Sequence, residues 1–268
     1  MSPEPETKVI SSWSGGKDCC LALYRAMKLG YKAGVLLNFI SGATGRGCFH
    51  GLAGSLLRRQ AELLGIPLAQ HPVSPDMQEY EKEFKAAVQD IRGDTISHMV
   101  FGDIYLFDHH SWVQRVCSEI GIIPLQPLWN EPVDDLIAGF CGAGFKAVII
   151  SCRSDLLGKE YLGRYVDREL ADELKKKGIC PCGEKGEYHT LVVDGPIFSR
   201  PLRIARAEPV KKKGFGNTGS WISRNSNEPG PADADRDKPK VIEGRNTDLA
   251  KEVRVQSPAL SRNGNPFE

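Results

Sequence analysis

The feature that most constrains this chain is a strict alternation of strand-like and helix-like segments from residue 8 to residue 151. Strand patterns at 8–13, 33–40, 67–72, 98–102 and 146–151 are interleaved with helical patterns at 17–29, 52–64, 78–91, 109–120 and 132–141. A strand followed by a helix and then another strand returns the chain in the same direction. The alternation therefore predicts an α/β fold, a doubly wound parallel sheet with helices on both faces. The apolar runs Val35, Leu36, Leu37 and Val148, Ile149, Ile150 fit central strands buried on both sides. After Gly158 the rhythm changes: a helix at 167–177 leads into 180–195 and 201–207, which read as a small appended α+β region of loop and strands. From Gly214 onward Gly, Pro, Ser and Asn crowd the chain and no period is sustained, which predicts a mostly disordered tail. Within it, 247–255 could form a short helix, and Trp221 with Ile222 could dock on the body. The expected division is an α/β domain over 7–157, a substrate-binding region over 158–210 and the tail over 211–268. No internal repeat is evident.

Composition narrows the partners. Lys plus Arg number 35 against 34 Asp plus Glu, a net charge of +1, so there is no bulk attraction for nucleic acid or acidic membranes. No apolar run approaches the roughly 20 residues that cross a bilayer, and Met1 to Lys8 is polar, so neither spanning nor secretion is expected. Eight cysteines, at 19, 20, 48, 117, 141, 152, 180 and 182, are scattered rather than dense, which reads as reduced thiols in a cytoplasm.

Ser14-Gly15-Gly16-Lys17-Asp18 lies where the first strand turns into the first helix, the place at which a doubly wound fold offers backbone N–H groups and a helix N-terminus to an anion. Two glycines let the backbone approach a phosphate, Lys17 supplies a charge, and Asp18 could order the loop or help to hold Mg2+. The spacing is neither that of a Walker A loop nor that of a dinucleotide fingerprint. A glycine turn before an ordinary helix is the plainer alternative. The loop resembles the Ser-Gly-Gly-x-Asp-Ser signature of the ATP pyrophosphatase superfamily, of the HUP-like type, with Cys19 in place of the last Ser. That resemblance implies that the loop takes the pyrophosphate part of ATP and that an acceptor oxygen is adenylated and then displaced by nitrogen or sulfur. A thiol donates weakly, so Cys19 implies one weaker phosphate contact.

A second dense segment runs Cys182-Gly183-Glu184-Lys185-Gly186-Glu187-Tyr188-His189-Thr190 and continues to Asp194-Gly195-Pro196. Two carboxylates, a phenol, an imidazole and a hydroxyl in so short a span point to a bound partner, against the alternative of a solvated polar hairpin. This segment resembles the Cys-Gly-Glu-x-Gly-Glu-Tyr-His-Thr pattern of the diphthine ammonia ligase family, and Phe49-His50-Gly51, Gly102-Asp103-Ile104 and Leu162-Gly163-Arg164 match in order, covering about residues 8–200. The resemblance implies a cytoplasmic ligase that amidates diphthine on elongation factor 2, using ATP, Mg2+ and free ammonia, and releasing AMP and pyrophosphate through an acyl-adenylate. By position it implies that Ser14, Gly15, Gly16, Lys17, Asp18 and Cys19 surround the phosphates. Asn38 would lie by the adenosine, with His50, Gly102 and Asp103 lining the nucleotide side. Gly183, Glu184, Gly186, Glu187, Tyr188, His189 and Thr190 would face the acceptor. Lys17, Asp18, Glu184, Glu187 and His189 are the implied catalytic set, with Glu187 or His189 as the proton acceptor for the incoming nitrogen.

Other clusters read more plainly. Cys180-Pro181-Cys182 near His189 lacks zinc spacing, and His109-His110 after Asp108 reads as a helix start. Arg115 could reach the nucleotide or simply face solvent. The runs 175–177 and 211–213 are solvated lysines. Three other functions remain open at this point: the same ATP chemistry on another carboxylate substrate, sulfur transfer to tRNA with Cys180 and Cys182 as carriers, and a non-catalytic ATP-binding module.

Overall fold

A computed structural model of the chain describes residues 7–42, 45–48, 51–74, 76–93, 95–204, 207–213 and 219–225. The first half is laid out as β1 (Lys8–Ser12), α1 (Lys17–Lys28), β2 (Lys32–Ser41), α2 (Gly54–Leu64), β3 (Leu68–Val73), α3 (Met77–Arg92), β4 (His98–Val100), α4 (Phe107–Glu119) and β5 (Ile123–Leu125). These five strands form one parallel sheet in the order β3-β2-β1-β4-β5. Period two along the strands divides the core. Val9 and Leu36 join the cluster on the α1 and α2 side, while their neighbours Ile10 and Leu37 join the cluster on the α3 and α4 side. The strand order reverses at β1, so a crevice opens between the carboxyl ends of β1 and β4, where open α/β sheets bind ligands.

The second half comprises α5 (Val133–Gly142), β6 (Lys146–Arg153), a short 3-10 turn at Lys159–Tyr161, α6 (Arg168–Lys176), β7 (Tyr188–Asp194), β8 (Ala207–Lys213) and β9 (Gly219–Asn225). Asp167 caps α6 by accepting the Leu170 N–H at 2.8 Å. The strands form a separate sheet in the order β7-β6-β9-β8, antiparallel throughout.

Three sequence expectations change here. The strand at 146–151 is not part of the parallel sheet: it is β6, second in the antiparallel sheet. Burial on both faces is demanded of any interior strand, so its apolar run marked an interior place without saying in which sheet. The fifth parallel strand is instead β5, three residues with Pro124 in the middle, and Pro is tolerated because the strand sits at the edge. Third, β8 and β9 extend the second sheet beyond residue 210, where the sequence suggests tail, and the Trp221 and Ile222 backbone lies in register with Cys152 and Ser151. The possible helix at 247–255 lies outside the described residues.

Candidate functional site

The loop 14–18 leaves β1 and enters α1, with Gly16 as the extended residue before the helix. Gly15 has φ +79°, and a Cβ there would meet the Leu57 and Gln60 side chains at 2.5 and 2.8 Å, so only glycine lets α2 press this close. Gln60 is wholly buried and uses its whole amide: its Oε1 accepts from the Trp13 indole at 2.9 Å, and its Nε2 donates to Gly15 C=O at 3.1 Å and Val192 C=O at 2.8 Å. Val192 N–H in turn donates to Gly15 C=O at 3.0 Å. The loop is thus fixed between α2 and β7. Ser14 Oγ accepts the Gly16 N–H at 3.4 Å and donates to Cys19 Sγ at the same distance. Burial works against the Cys19 thiolate, but hydrogen bonds from Cys20 and Ser14 outweigh it and bring the thiol below its ordinary value.

The second sheet meets this loop directly. Thr190 Oγ1 accepts the Lys17 backbone N–H at 3.0 Å. The Lys17 ammonium is buried; it donates to Asp18 Oδ1 and Oδ2 at 3.0 and 2.8 Å and to the Cys182 carbonyl, and lies 5.6 Å from the centre of the Tyr188 ring. Burial alone would discharge the lysine, yet Asp18, then Tyr188 and Cys182, hold it above its ordinary value, so it stays charged.

On the other side of the loop a cavity of about 200 Å³ opens in the β1/β4 crevice. Ser14, Asp18, Cys19, Gly102, Asp103 and His109 line its polar part, and Trp13, Phe39, Tyr80, Phe84, Phe101 and Trp112 its aromatic part. A Cβ on Gly102 would stand 2.9 Å from Asp18 C and Cys19 N, so this glycine allows β4 to end against the first turn of α1. Asp103 accepts from Gln126 Nε2 at 3.3 Å and has His109 Nδ1 at 3.7 Å. Glu184 reaches across from the second half to accept the Ile104 N–H at 3.0 Å. Burial, with Asp18 adding repulsion, raises the Glu184 carboxyl to about 7.

The two motifs predicted from sequence therefore meet, though not every residue points as expected. Asn38 does not line the cavity: it is buried, donates to Trp13 C=O at 2.8 Å and accepts from Gln70 at 3.2 Å, pinning the end of β1. His50 lies outside the described residues. Tyr188 is buried beneath Lys17 with its hydroxyl on the Pro181 carbonyl, and Thr190 is a helix cap, so both build the site rather than face an acceptor. Glu187 is buried and accepts the Lys185 N–H at 2.9 Å. Burial, then the nearby Lys17 charge, lowers His189 to about 4, so it is neutral near pH 7. Gly183 and Gly186 take positive φ in the turn that carries Glu184 and Glu187. Arg115 is engaged by Glu81 and Glu119 on the surface of α3 and α4. Sequence reasoning missed Gln60 and Trp13. The signal for Gln60 was a lone amide within the apolar face Leu57, Ala61 and Leu64.

Asp18 and Asp103 line one cavity and are the carboxylates that would hold a magnesium ion there, an ion that needs only one or two protein carboxylates. Among the described residues no group of three or more His, Cys, Asp or Glu could hold a metal on its own.

Comparison with known proteins places this geometry. Residues 7–124 match the diphthamide synthase N-terminal domain and residues 132–225 the diphthamide synthase C-terminal domain. Three similar proteins are named diphthine–ammonia ligase. The one from Schizosaccharomyces pombe is 25% identical over 226 residues, covering 76% of this chain and 37% of that protein. The human protein is 24% identical over 226 residues, covering 76% and 85%. The one from Saccharomyces cerevisiae is 22% identical over 230 residues, covering 71% and 33%. The chain thus spans only about a third of the length of the two yeast relatives and most of that of the human one. A solved structure described as a predicted subunit of tRNA methyltransferase from Methanocaldococcus jannaschii aligns over 71% of this chain and 100% of that one, at 18% identity and a TM-score of 0.41, too weak a likeness to carry an argument. Two adjoining domain matches that take in both halves and both motifs establish that this chain belongs to the diphthamide synthase family.

Proposed function

We propose that the chain is a diphthine–ammonia ligase: diphthine on elongation factor 2, ammonia and ATP give diphthamide, AMP and pyrophosphate. The observation that carries this is the direct bonding of the acidic segment to the phosphate loop, through Lys17 to Thr190 and Cys182, and to the turn after β4, through Ile104 to Glu184. One site then holds a triphosphate and a second substrate side by side. In this reading the parallel sheet serves ATP and the segment of 158–210 that carries Glu184 serves the acceptor.

The aromatic wall of the β1/β4 cavity would receive the base, and its polar part, where Ser14 and Cys19 face it from the loop, the phosphates. Asp18 and Asp103 would hold Mg2+, which supplies neutralisation of phosphate charge. Lys17, buried beneath the loop and kept charged by its partners, contributes a positive field, not a direct hydrogen bond, as the diphthine carboxylate oxygen bonds to the α-phosphorus and pyrophosphate leaves. Ammonia nitrogen then bonds to the activated carbonyl carbon, AMP leaves, and one proton must be taken up. Of the candidates for that proton, Glu184 is better matched than His189: a carboxyl near 7 accepts and releases protons at neutral pH, whereas His189 near 4 is a weak base.

Sulfur transfer is less well supported: Cys182 is buried with its thiol pushed up to about 12, unsuited to carrying sulfur as a thiolate. All eight cysteines are unpaired, as in a reducing compartment such as the cytoplasm, and no helix among the described residues is long and apolar enough to cross a membrane.

The deciding experiment incubates the purified chain with elongation factor 2 carrying diphthine, ATP, magnesium and ammonium. Expected are AMP and pyrophosphate in step with the mass change from carboxylate to amide. AMP release without a mass change would move the activity to another acceptor, and no AMP at all would favour a nucleotide-binding module.

A further inference from the structure

Where the last turn of α2 meets the strap of residues 199–203 lies a second concavity of about 390 Å³, lined by Arg59, Leu63, Arg200, Pro201, Leu202 and Arg203. From it we infer a second anion site, one that takes a compact phosphate-bearing molecule.

Four other arginines are answered by carboxylates: Arg25 sits on Glu131, Arg115 on Glu81 and Glu119, Arg153 on Asp155, and Arg164 on Glu173. Arg200 and Arg203 have no carboxylate partner among the described residues, and Arg59 has only Glu62, one turn along its own helix. Three like charges gathered in a concavity repel one another, and an anion between them relieves that repulsion. All three are arginines, whose planar forks pair two-to-one with phosphate oxygens.

The walls are held in place. Ser199 donates to the Leu63 carbonyl with both its N–H and its hydroxyl, at 2.8 and 2.7 Å, and the Leu202 N–H donates to Val193 C=O at 2.7 Å. Leu63 lies in the last turn of α2, where carbonyls would otherwise face the concavity and repel an anion. Ser199 takes up that carbonyl. Strap and helix therefore present their arginines from a fixed frame. The volume suits a small molecule, whereas an RNA strand needs a basic track with stacking rings, and the lining residues include no aromatic ring.

The test is calorimetric titration of inorganic pyrophosphate, and in parallel ADP, into the full chain with the phosphate loop presented with a non-hydrolysable ATP analogue. Expected is saturable binding that weakens about tenfold or more in the double variant Arg200→Ala/Arg203→Ala and is partly restored when both are lysine. These side chains are at the surface, and unchanged thermal denaturation shows that the variants fold. Equal affinity for the two probes means that phosphates alone are held; tighter ADP means that the nucleoside is held too. Binding indifferent to the double variant overturns the inference, as does no binding of either probe. Retention of a single-stranded RNA oligomer in their place would also overturn it, in favour of a nucleic-acid contact. The outcome does not depend on ligase activity.

Discussion

Thr190 Oγ1 accepts the backbone N–H of Lys17 at 3.0 Å across 173 positions of sequence. The first helix is therefore capped by the second sheet, and the phosphate loop is complete only when both halves are folded together. Thr190→Val keeps the volume but removes the acceptor, leaving a buried N–H unpaired. The expected cost is about 1 kcal/mol, as for other lost caps, with weaker ATP binding, and Thr190→Ser should restore both. Chemical denaturation and nucleotide titration measure it; a valine variant with the denaturation midpoint and ATP affinity of the parent would contradict the cap's role.

Lys17→Met should lower AMP formation by about 10²–10³-fold, the scale of losing one preorganised charge at a reacting centre. Lys17→Arg should not rescue it. The ammonium fits among Asp18, the Cys182 carbonyl and the Tyr188 ring, and a planar guanidinium is the wrong shape for that nest. Initial rates of AMP release, with folding checked by circular dichroism, decide this. Full activity in the arginine variant would show that charge alone matters there.

Gly102→Ala places a methyl 2.9 Å from backbone atoms of Asp18 and Cys19, neither of which can swing aside. The expected loss is about 1–3 kcal/mol of stability, together with impaired ATP binding, because the first turn of α1 must shift. A thermal midpoint and an ATP titration suffice, and an alanine variant as stable as the parent would mean that β4 can withdraw freely.

How far the sequence revealed these relationships depends on range. Local signals were legible: the glycines at 15 and 16 marked the loop, and the alternating patterns marked the parallel sheet. What sequence pattern could not convey was orientation across the chain. Val148 to Ile150 look the same in a parallel or an antiparallel interior, so the pattern alone does not say that β6 belongs to the second sheet. Tyr188 and Thr190 belong to a polar cluster and share one face of β7, because a strand points successive residues to opposite faces, and which face met the loop was fixed only by packing of β7 against α1 and Gln60. The exchange of Ser for Cys19 was visible, while its hydrogen bonds to Ser14 and the Gly16 carbonyl were not.

Glu184 gives a pH signature in both stability and rate. Its carboxyl is raised from 4.5 to about 7 in the folded protein, with burial the main cause and Asp18 the next. Between those values the folded chain binds the proton more tightly than the unfolded chain. This group's contribution is therefore most favourable below 4.5, declines as pH rises through the window, and levels off above about 7. Glu184→Gln should flatten that decline and leave the variant relatively more stable at pH 8 than at pH 5, compared with the parent. If Glu184 takes the proton from the incoming nitrogen, the amide-forming rate should climb as pH passes 7 in the parent, and the variant should be slower and lack that limb. Denaturation at several pH values and single-turnover amide formation test the two consequences separately. A flattened stability profile with an unchanged rate profile would leave Glu184 a buried carboxyl with no part in proton transfer.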